Sequence, residues 1–275
     1  MTDLRNINVA GQAAVIPKDQ PAPMLEWVSI DKLLIDDSYQ RSLAARNWSS
    51  IRRIAEDFHW SRFTPVLVAP VEDGLFAIID GQHRTHAAAI CGFKTVPAMV
   101  VHMPRTEQAQ AFSWVNSQVV RITPHHVYKA ALAAAETWAL DCRAAVEAAD
   151  CRLMTSNASS GAKRPGEIFS IGFIKETVLR GHAAAITTAL RGIRDFDKGG
   201  RVTLYTDYIV RPLIQVLAED GALRQADIAA AFGRHDPFRL LDHAERHREP
   251  SVAIGAAHRS ALRVLLAQSM RAGAA

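Results

Sequence analysis

The stretch from Phe76 to Gly92 constrains this chain more than any other: Phe76-Ala-Ile-Ile-Asp80-Gly81-Gln82-His83-Arg84-Thr85-His86, then an alanine run that closes at Gly92. Aromatic and β-branched residues up to Ile79 favour a strand and the alanines favour a helix, so Asp80-Gly81 predicts a sharp strand-to-helix turn. His83 and Arg84 then fall in the first helical turn, where free backbone N–H groups and the helix dipole already present positive charge. A cation there is unfavourable by a few tenths up to ~1 kcal/mol unless an anion is shared with the N–H groups. The junction therefore reads as a phosphate or carboxylate site. The simpler reading has Asp80 capping the helix and Arg84 pointing back to it.

The flanking sequence surrounds this junction with a compact α+β pattern. Residues 1–24 lack periodicity and predict an extended or disordered arm. Leu25–Val28 and Ile30–Ile35 read as short strands, followed by a polar turn that carries Tyr39, Gln40 and Arg41. Ile51, Ile54, Ala55 and Phe58 are spaced as a helix, with Ser49 or Ser50 as its cap. Val66–Ala69 is a strand, Glu72-Asp73-Gly74 a hairpin turn, and Val96–Val101 a further strand. Thr106 begins a helix that ends near Asn116.

Beyond Thr123-Pro124, which starts the next helix, no convincing strand pattern is found. An apolar stripe at Val127, Ala131, Ala134, Trp138, Cys142, Ala145 and Ala149 predicts one long helix over 126–150. Residues 155–166, rich in Ser, Asn, Gly and Pro, predict a loop, and a helical bundle is expected over 167–271. Arg211-Pro212 should kink or split one of its helices, and Asp236-Pro237 should open another.

Composition narrows the class. The chain has 275 residues, 49% of them hydrophobic and 22% charged, a soluble globular balance. No apolar run approaches the ~18 residues that span a bilayer, and no signal layout is found, so no membrane partner and a cytoplasmic location are expected. Cys91, Cys142 and Cys151 are odd in number and lack C-x-x-C spacing, which suggests reduced, mostly buried thiols. His83 and His86 are spaced for a metal pair on one helix face, but no third ligand accompanies them.

The formal net charge is +4. Much of the excess lies in one segment, where Lys163, Arg164, Lys175, Arg180, Arg191, Arg194, Lys198, Arg201 and Arg211 face only Glu167, Glu176, Asp195, Asp197 and Asp207. That bias permits DNA binding, although a solvated surface explains it as well. Between Leu223 and His247 the order is helix–Gly233–helix, with Arg239, His243 and Arg246 on one side of the second helix. A helix-turn-helix is one reading. Arg239 stands where that motif wants an apolar residue and Pro237 interrupts it, so a plain bundle is the other.

An ordered series of elements in the first 150 residues resembles the ParB/sulfiredoxin superfamily. Leu25–Ile35 resembles its opening strand and turn, Tyr39-Gln40-Arg41 its early Gln-Arg element, and Phe63-Thr-Pro65-Val-Leu-Val its helix-to-strand passage. Asp80-Gly81-Gln82-His83-Arg84 stands where ParB has Gly-Glu-Arg-Arg and sulfiredoxin Gly-Cys-His-Arg, and its spelling is that of DGQHR-type variants. Gly92–Val101 resembles the next strand, and Asn116 to Thr123-Pro124 the ParB segment with Asn and a later Pro.

The resemblance implies a ParB/sulfiredoxin-like α+β domain over 25–125 and an all-α region over 126–275. It also implies a nucleotide pocket, because this place holds CTP with magnesium in ParB and ATP in sulfiredoxin. Carried over, Gly81 and Gln82 offer backbone N–H groups, Arg84 forks onto phosphate, and His83 stands where ParB has the first Arg. Gln40 and Arg41 close the pocket, and Asn116 and Thr123 belong to its third segment. Gln82 replaces the sulfiredoxin cysteine, which excludes sulfinic-acid repair. Val115 and Val119 replace the Glu and Arg of ParB's Glu-Asn-x-x-Arg, so two phosphate and metal contacts are absent.

Three functions follow from the resemblance. The first is a nucleotide-binding protein acting on or with DNA, in partition, regulation or defence on a plasmid, phage or other mobile element. The second is a magnesium-dependent NTPase or nuclease with Asp80 as catalytic and metal-binding carboxylate. The third is a non-catalytic scaffold whose pocket has decayed. The DNA contacts expected are Lys163, Arg164, Arg239, His243 and Arg246, and a homodimer is allowed.

Overall fold

The computed structural model describes residues 4–17, 20–40, 43–117 and 122–273. The chain divides into two units, Met1–Val120 and Arg121–Ala275, a boundary a few residues earlier than the sequence suggests. Arg41 and Val119 lie outside the described residues.

The first unit is built on a five-stranded mixed sheet of β1 (Met24–Ser29), β2 (Leu33–Leu34), β3 (Val66–Pro70), β4 (Phe76–Asp80) and β5 (Thr95–Val100), in the order β1-β5-β3-β4-β2. The β3–β4 hairpin turns at Asp73 and Gly74, whose φ values of 58° and 71° are those that an Asp-Gly turn supplies. Val66, Val68, Ile78, Val96 and Ala98 bury one continuous apolar layer. Three helices cover the sheet: α1 (Ala45–Glu56), α2 (Gln82–Ile90) and α3 (Arg105–Ser117). The alanines of α2 let it approach closely, and Ala87 and Ala88 are fully buried. Gly92, at φ 85°, closes α2 while the Phe93 N–H donates to the Ala88 carbonyl (3.1 Å).

Helix α1 starts earlier than Ser49 or Ser50 suggested. Asn47 accepts the Ala44 N–H (3.1 Å), while both serine hydroxyls donate back to the Arg46 carbonyl. Serines inside a helix satisfy themselves in this way, so the sequence alone mistook back-bonding residues for a cap.

The second unit is helical around one core. It contains α4 (Pro124–Ala133), α5 (Thr137–Glu147), α6 (Ile171–Leu179), α7 (Ala183–Phe196), α8 (Asp207–Glu219), α9 (Ile228–Arg234), α10 (Pro237–Arg246) and α11 (Ile254–Gly273). Leu190, Ile193, Leu213, Leu217, Phe232 and Leu266 are among its fully buried side chains. Three expectations are corrected here. The long helix over 126–150 is two helices, because Ala135 takes a left-handed conformation (φ 52°) and the Glu136 N–H turns back to the Ala131 carbonyl. A parallel pair, β6 (Arg152–Leu153) and β7 (Glu167–Ile168), flanks the expected loop; two-residue strands are too short to show periodicity. Pro212 does not split α8. It is buried between Val210 and Leu213, and packing outweighs the lost hydrogen bond.

Asp236 caps α10 as expected, accepting from the Phe238 and Arg239 N–H groups (both 3.1 Å). Gly233 lies inside α9 rather than in the two-residue connection, so this pair is part of a plain bundle. No described helix is long and apolar enough to cross a membrane.

Candidate functional site

Asp80 is the last residue of β4, beside a register shift between Leu67 and Val68 of β3. Gly81 follows at φ 105° and acts as the N-terminal cap of α2, with no side chain bonding the helix N–H groups. A Cβ on Gly81 would lie 2.6 Å from Val66 Cγ1, so backbone and close packing both require glycine. The first N–H groups of α2 therefore open onto a cleft of about 290 Å³ lined by Gln40, Asn47, Asp80, Gln82, His83, Arg84, Phe112 and Asn116.

Asp80 does not cap the helix. Its Oδ2 accepts from Arg84 Nη2 at 3.1 Å across one turn, a half-buried pair. Arg84 Nε is buried without a hydrogen-bond partner among the described residues, so the guanidinium keeps an unused donor. Leaving such a donor buried and unpaired costs about 1–3 kcal/mol.

The remaining side chains are fixed by the fold. Strand β2 pairs with β4 only at Phe76 and Ala77. Past that point the Gln40 amide takes over, donating to the Ile78 and Ile79 carbonyls at 2.9 and 3.1 Å. Gln40 thus holds the end of β4 as well as lining the cleft. His83 Nε2 faces Asn47 Nδ2 at 3.3 Å, and burial, with the neighbouring His86, lowers the His83 pKa below its ordinary value. His86 Nδ1 donates to the Gln82 carbonyl (2.8 Å) and its ring meets Trp48 edge-on. Both imidazoles are engaged within the protein, and no group of three metal-ligating side chains occurs among the described residues.

The sequence-derived residues separate by unit. Gln40, Asp80, Gly81, Gln82, His83, Arg84 and Asn116 share the cleft. Thr123 belongs to the second unit, where it caps α4 and accepts the His126 N–H. Asn47 and Phe112 were missed. Phe112 lies one turn before Asn116 on α3, and the Asn116 amide donates to its carbonyl (2.8 Å), so helical spacing from Asn116 would have found it. Asn47 had no signal before the start of α1 was known.

In the second unit Arg239, His243 and Arg246 are all exposed on α10, opposite the buried Leu241. Lys163 sits over the Phe169 ring (4.4 Å), and Arg164 is exposed in the loop before β7. The basic segment is largely engaged locally. Arg180, Lys198, Arg201 and Arg211 pair with Glu176, Asp195, Asp197 and Asp207, and Lys175 lies over Trp138.

Residues 49–117, which carry most of α1, the β3–β4 hairpin, the Gly81 turn, α2, β5 and α3, match the family model of the ParB N-terminal domain. The match lies wholly within the first unit. No curated protein matches the chain. Among solved structures, it is similar to the C-terminally truncated chromosome-partitioning protein ParB from Caulobacter crescentus complexed with CTP-gamma-S (15% identity over 77% of this chain and 97% of that one, TM-score 0.35). It is also similar to that protein complexed to the centromeric parS site (15% identity, 90% and 99% covered, TM-score 0.29). A third is a Pnob8-like ParB-N domain (17% identity, 73% and 94% covered, TM-score 0.27). The matched residues end with α3, at Ser117.

Proposed function

We propose that the ParB-like domain binds a nucleoside triphosphate, CTP or ATP, with its phosphates on the N-terminus of α2, and that the protein acts with DNA. The observation that carries this reading is the uncapped helix start at Gly81, opening onto a polar cleft that Arg84 also lines. Backbone N–H groups and a guanidinium fork converging on one polar cleft are the chemistry of phosphate recognition. A cleft of about 290 Å³ is at the small end for ligand sites and suits a triphosphate tail with the base outside it.

Asp80 gives the same cleft a negative charge, which sets a condition on the ligand. A triphosphate beside this carboxylate needs a cation between them. Asp80 Oδ1 takes no part in the Arg84 bond and would be the carboxylate oxygen that holds a magnesium ion there. When bound, the ion would neutralise phosphate charge; Arg84 and the N–H groups hold the phosphates, and Asn47 keeps His83 oriented.

Calorimetric titration with CTP, ATP and GTP in magnesium tests the reading. Binding of at least one nucleotide is expected, with a loss of about tenfold or more in Arg84→Ala, since charge-assisted hydrogen bonds contribute about 1.5–3 kcal/mol each. No binding by any of the three, with Arg84→Ala indistinguishable, rejects it. Hydrolysis is a second reading that rests on Asp80 alone: phosphate release that persists in Asp80→Ala removes that residue from catalysis.

For DNA, the exposed Arg239, His243 and Arg246 on α10 are the proposed contact, supported by Lys163 and Arg164. Arg239→Ala and Arg246→Ala should each reduce the salt dependence of binding by about one unit of slope. Partition, regulation or defence on a mobile element would be the setting for such a protein.

A further inference from the structure

A groove of about 680 Å³ lies between the end of β2, the β3–β4 hairpin and the start of α3, separate in its chemistry from the cleft at α2. Its floor is apolar and open: Leu34, Ile35 and Val71 are 43%, 36% and 37% exposed. Its rim is acidic. Asp37, Glu72 and Asp73 are exposed and make no ion pair among the described residues, while Asp36 is held by Arg105 at 2.9 Å. In a chain of net charge +4, such a rim marks a surface of opposite sign to the rest of the protein.

The lining comes from the end of β2, the neighbouring β3–β4 hairpin and the start of α3, so the groove crosses the end of the sheet between two banks. An extended chain laid there finds apolar wells in the floor and carboxylates on both banks. Asp37, Glu72 and Asp73 repel phosphates, so the rim favours a cationic occupant over a nucleotide or DNA.

We propose that this groove docks an extended segment of a partner polypeptide in which apolar residues alternate with lysine or arginine. The apolar side chains occupy the floor against Leu34, Ile35 and Val71. The cations reach Asp37 on one bank and Glu72 and Asp73 on the other. This contact is independent of the phosphate cleft, because Arg84 and Gly81 take no part in it.

Fluorescence anisotropy on the full chain tests the proposal with three labelled peptides of equal length: lysine alternating with leucine, glutamate alternating with leucine, and lysine alternating with serine. The lysine–leucine peptide should bind best and weaken with added salt. The double variant Asp37→Lys, Glu72→Lys should lose roughly tenfold or more, and Arg84→Ala should bind as the parent does. Val71→Ser, a single surface change, should weaken the lysine–leucine peptide and leave the lysine–serine peptide unaffected, which keeps the test valid if the double variant fails to fold. Equal binding of the glutamate peptide, or indifference to both variants, overturns the proposal. Lysine–serine binding as tight as lysine–leucine reduces the groove to a simple cation site and overturns it as well.

Discussion

At Gly81 a single methyl group decides whether the turn can form. With φ at 105° and Val66 Cγ1 2.6 Å from the place of a Cβ, Gly81→Ala strains the backbone and pushes on a fully buried strand residue. A loss of about 1–3 kcal/mol is expected, read as a lowered midpoint in chemical denaturation. His83 adds a pH dependence whose sign follows from its environment. Its pKa is lowered from 6.5 by burial first and by His86 second, so the unfolded chain takes up the proton more readily than the folded one. Its contribution to stability is therefore present above the unfolded value of 6.5 and lost as pH falls through the lowered, folded value. A bound phosphate favours the protonated ring, so nucleotide affinity should rise over that same fall in pH. Kd measured against pH should show the rise in the parent and a flatter curve in His83→Gln; parallel curves would remove His83 from the site. The sequence made Gly81 and Arg84 legible because an Asp-Gly turn and a misplaced cation are local signals. It had Arg84 pointing back to Asp80, which the structure shows, but also had Asp80 capping α2, which depends on where the helix begins by a single residue. The way Gln40 supports β4 was not legible at all, because it depends on β2 ending two residues too soon.

Elements that announce themselves by periodicity or by paired punctuation were readable: the β3–β4 hairpin, the Asp236-Pro237 start of α10, and the close of α2 at Gly92. Those that hinge on one backbone conformation were not. The alanine-rich stretch of α4 and α5 keeps a helical stripe across the break, because one left-handed residue at Ala135 reverses the chain without disturbing the spacing on either side. That same residue yields a prediction. An alanine at φ 52° is in a conformation that glycine adopts without penalty, so Ala135→Gly should stabilise the second unit by about 0.5–1 kcal/mol. Thermal unfolding checks it. A continuous α4–α5 helix in solution would instead make the glycine destabilising by a similar amount, so the sign of the change decides the matter.

For the whole molecule, the two units carry separate cores: Val66, Ile78 and Val96 in the first unit, and Leu190, Leu213 and Phe232 in the helical unit. Every described residue of the candidate cleft, from Gln40 to Asn116, belongs to the first of these. A ligand stabilises only the cooperative unit that binds it, by RT ln(1 + [L]/Kd), about 2.7 kcal/mol at a hundredfold excess over Kd. Scanning calorimetry of the full chain with magnesium and the tightest-binding nucleotide should therefore raise one unfolding transition and leave the other in place. Gly81→Ala identifies the responsive transition by lowering it, and Ala135→Gly identifies the other by raising it. With Arg84→Ala the nucleotide-induced shift should fall to about half or less while both transitions remain. If nucleotide moves the transition marked by Ala135→Gly instead, the phosphate site lies in the helical unit, and the reading built on the Gly81 turn is wrong.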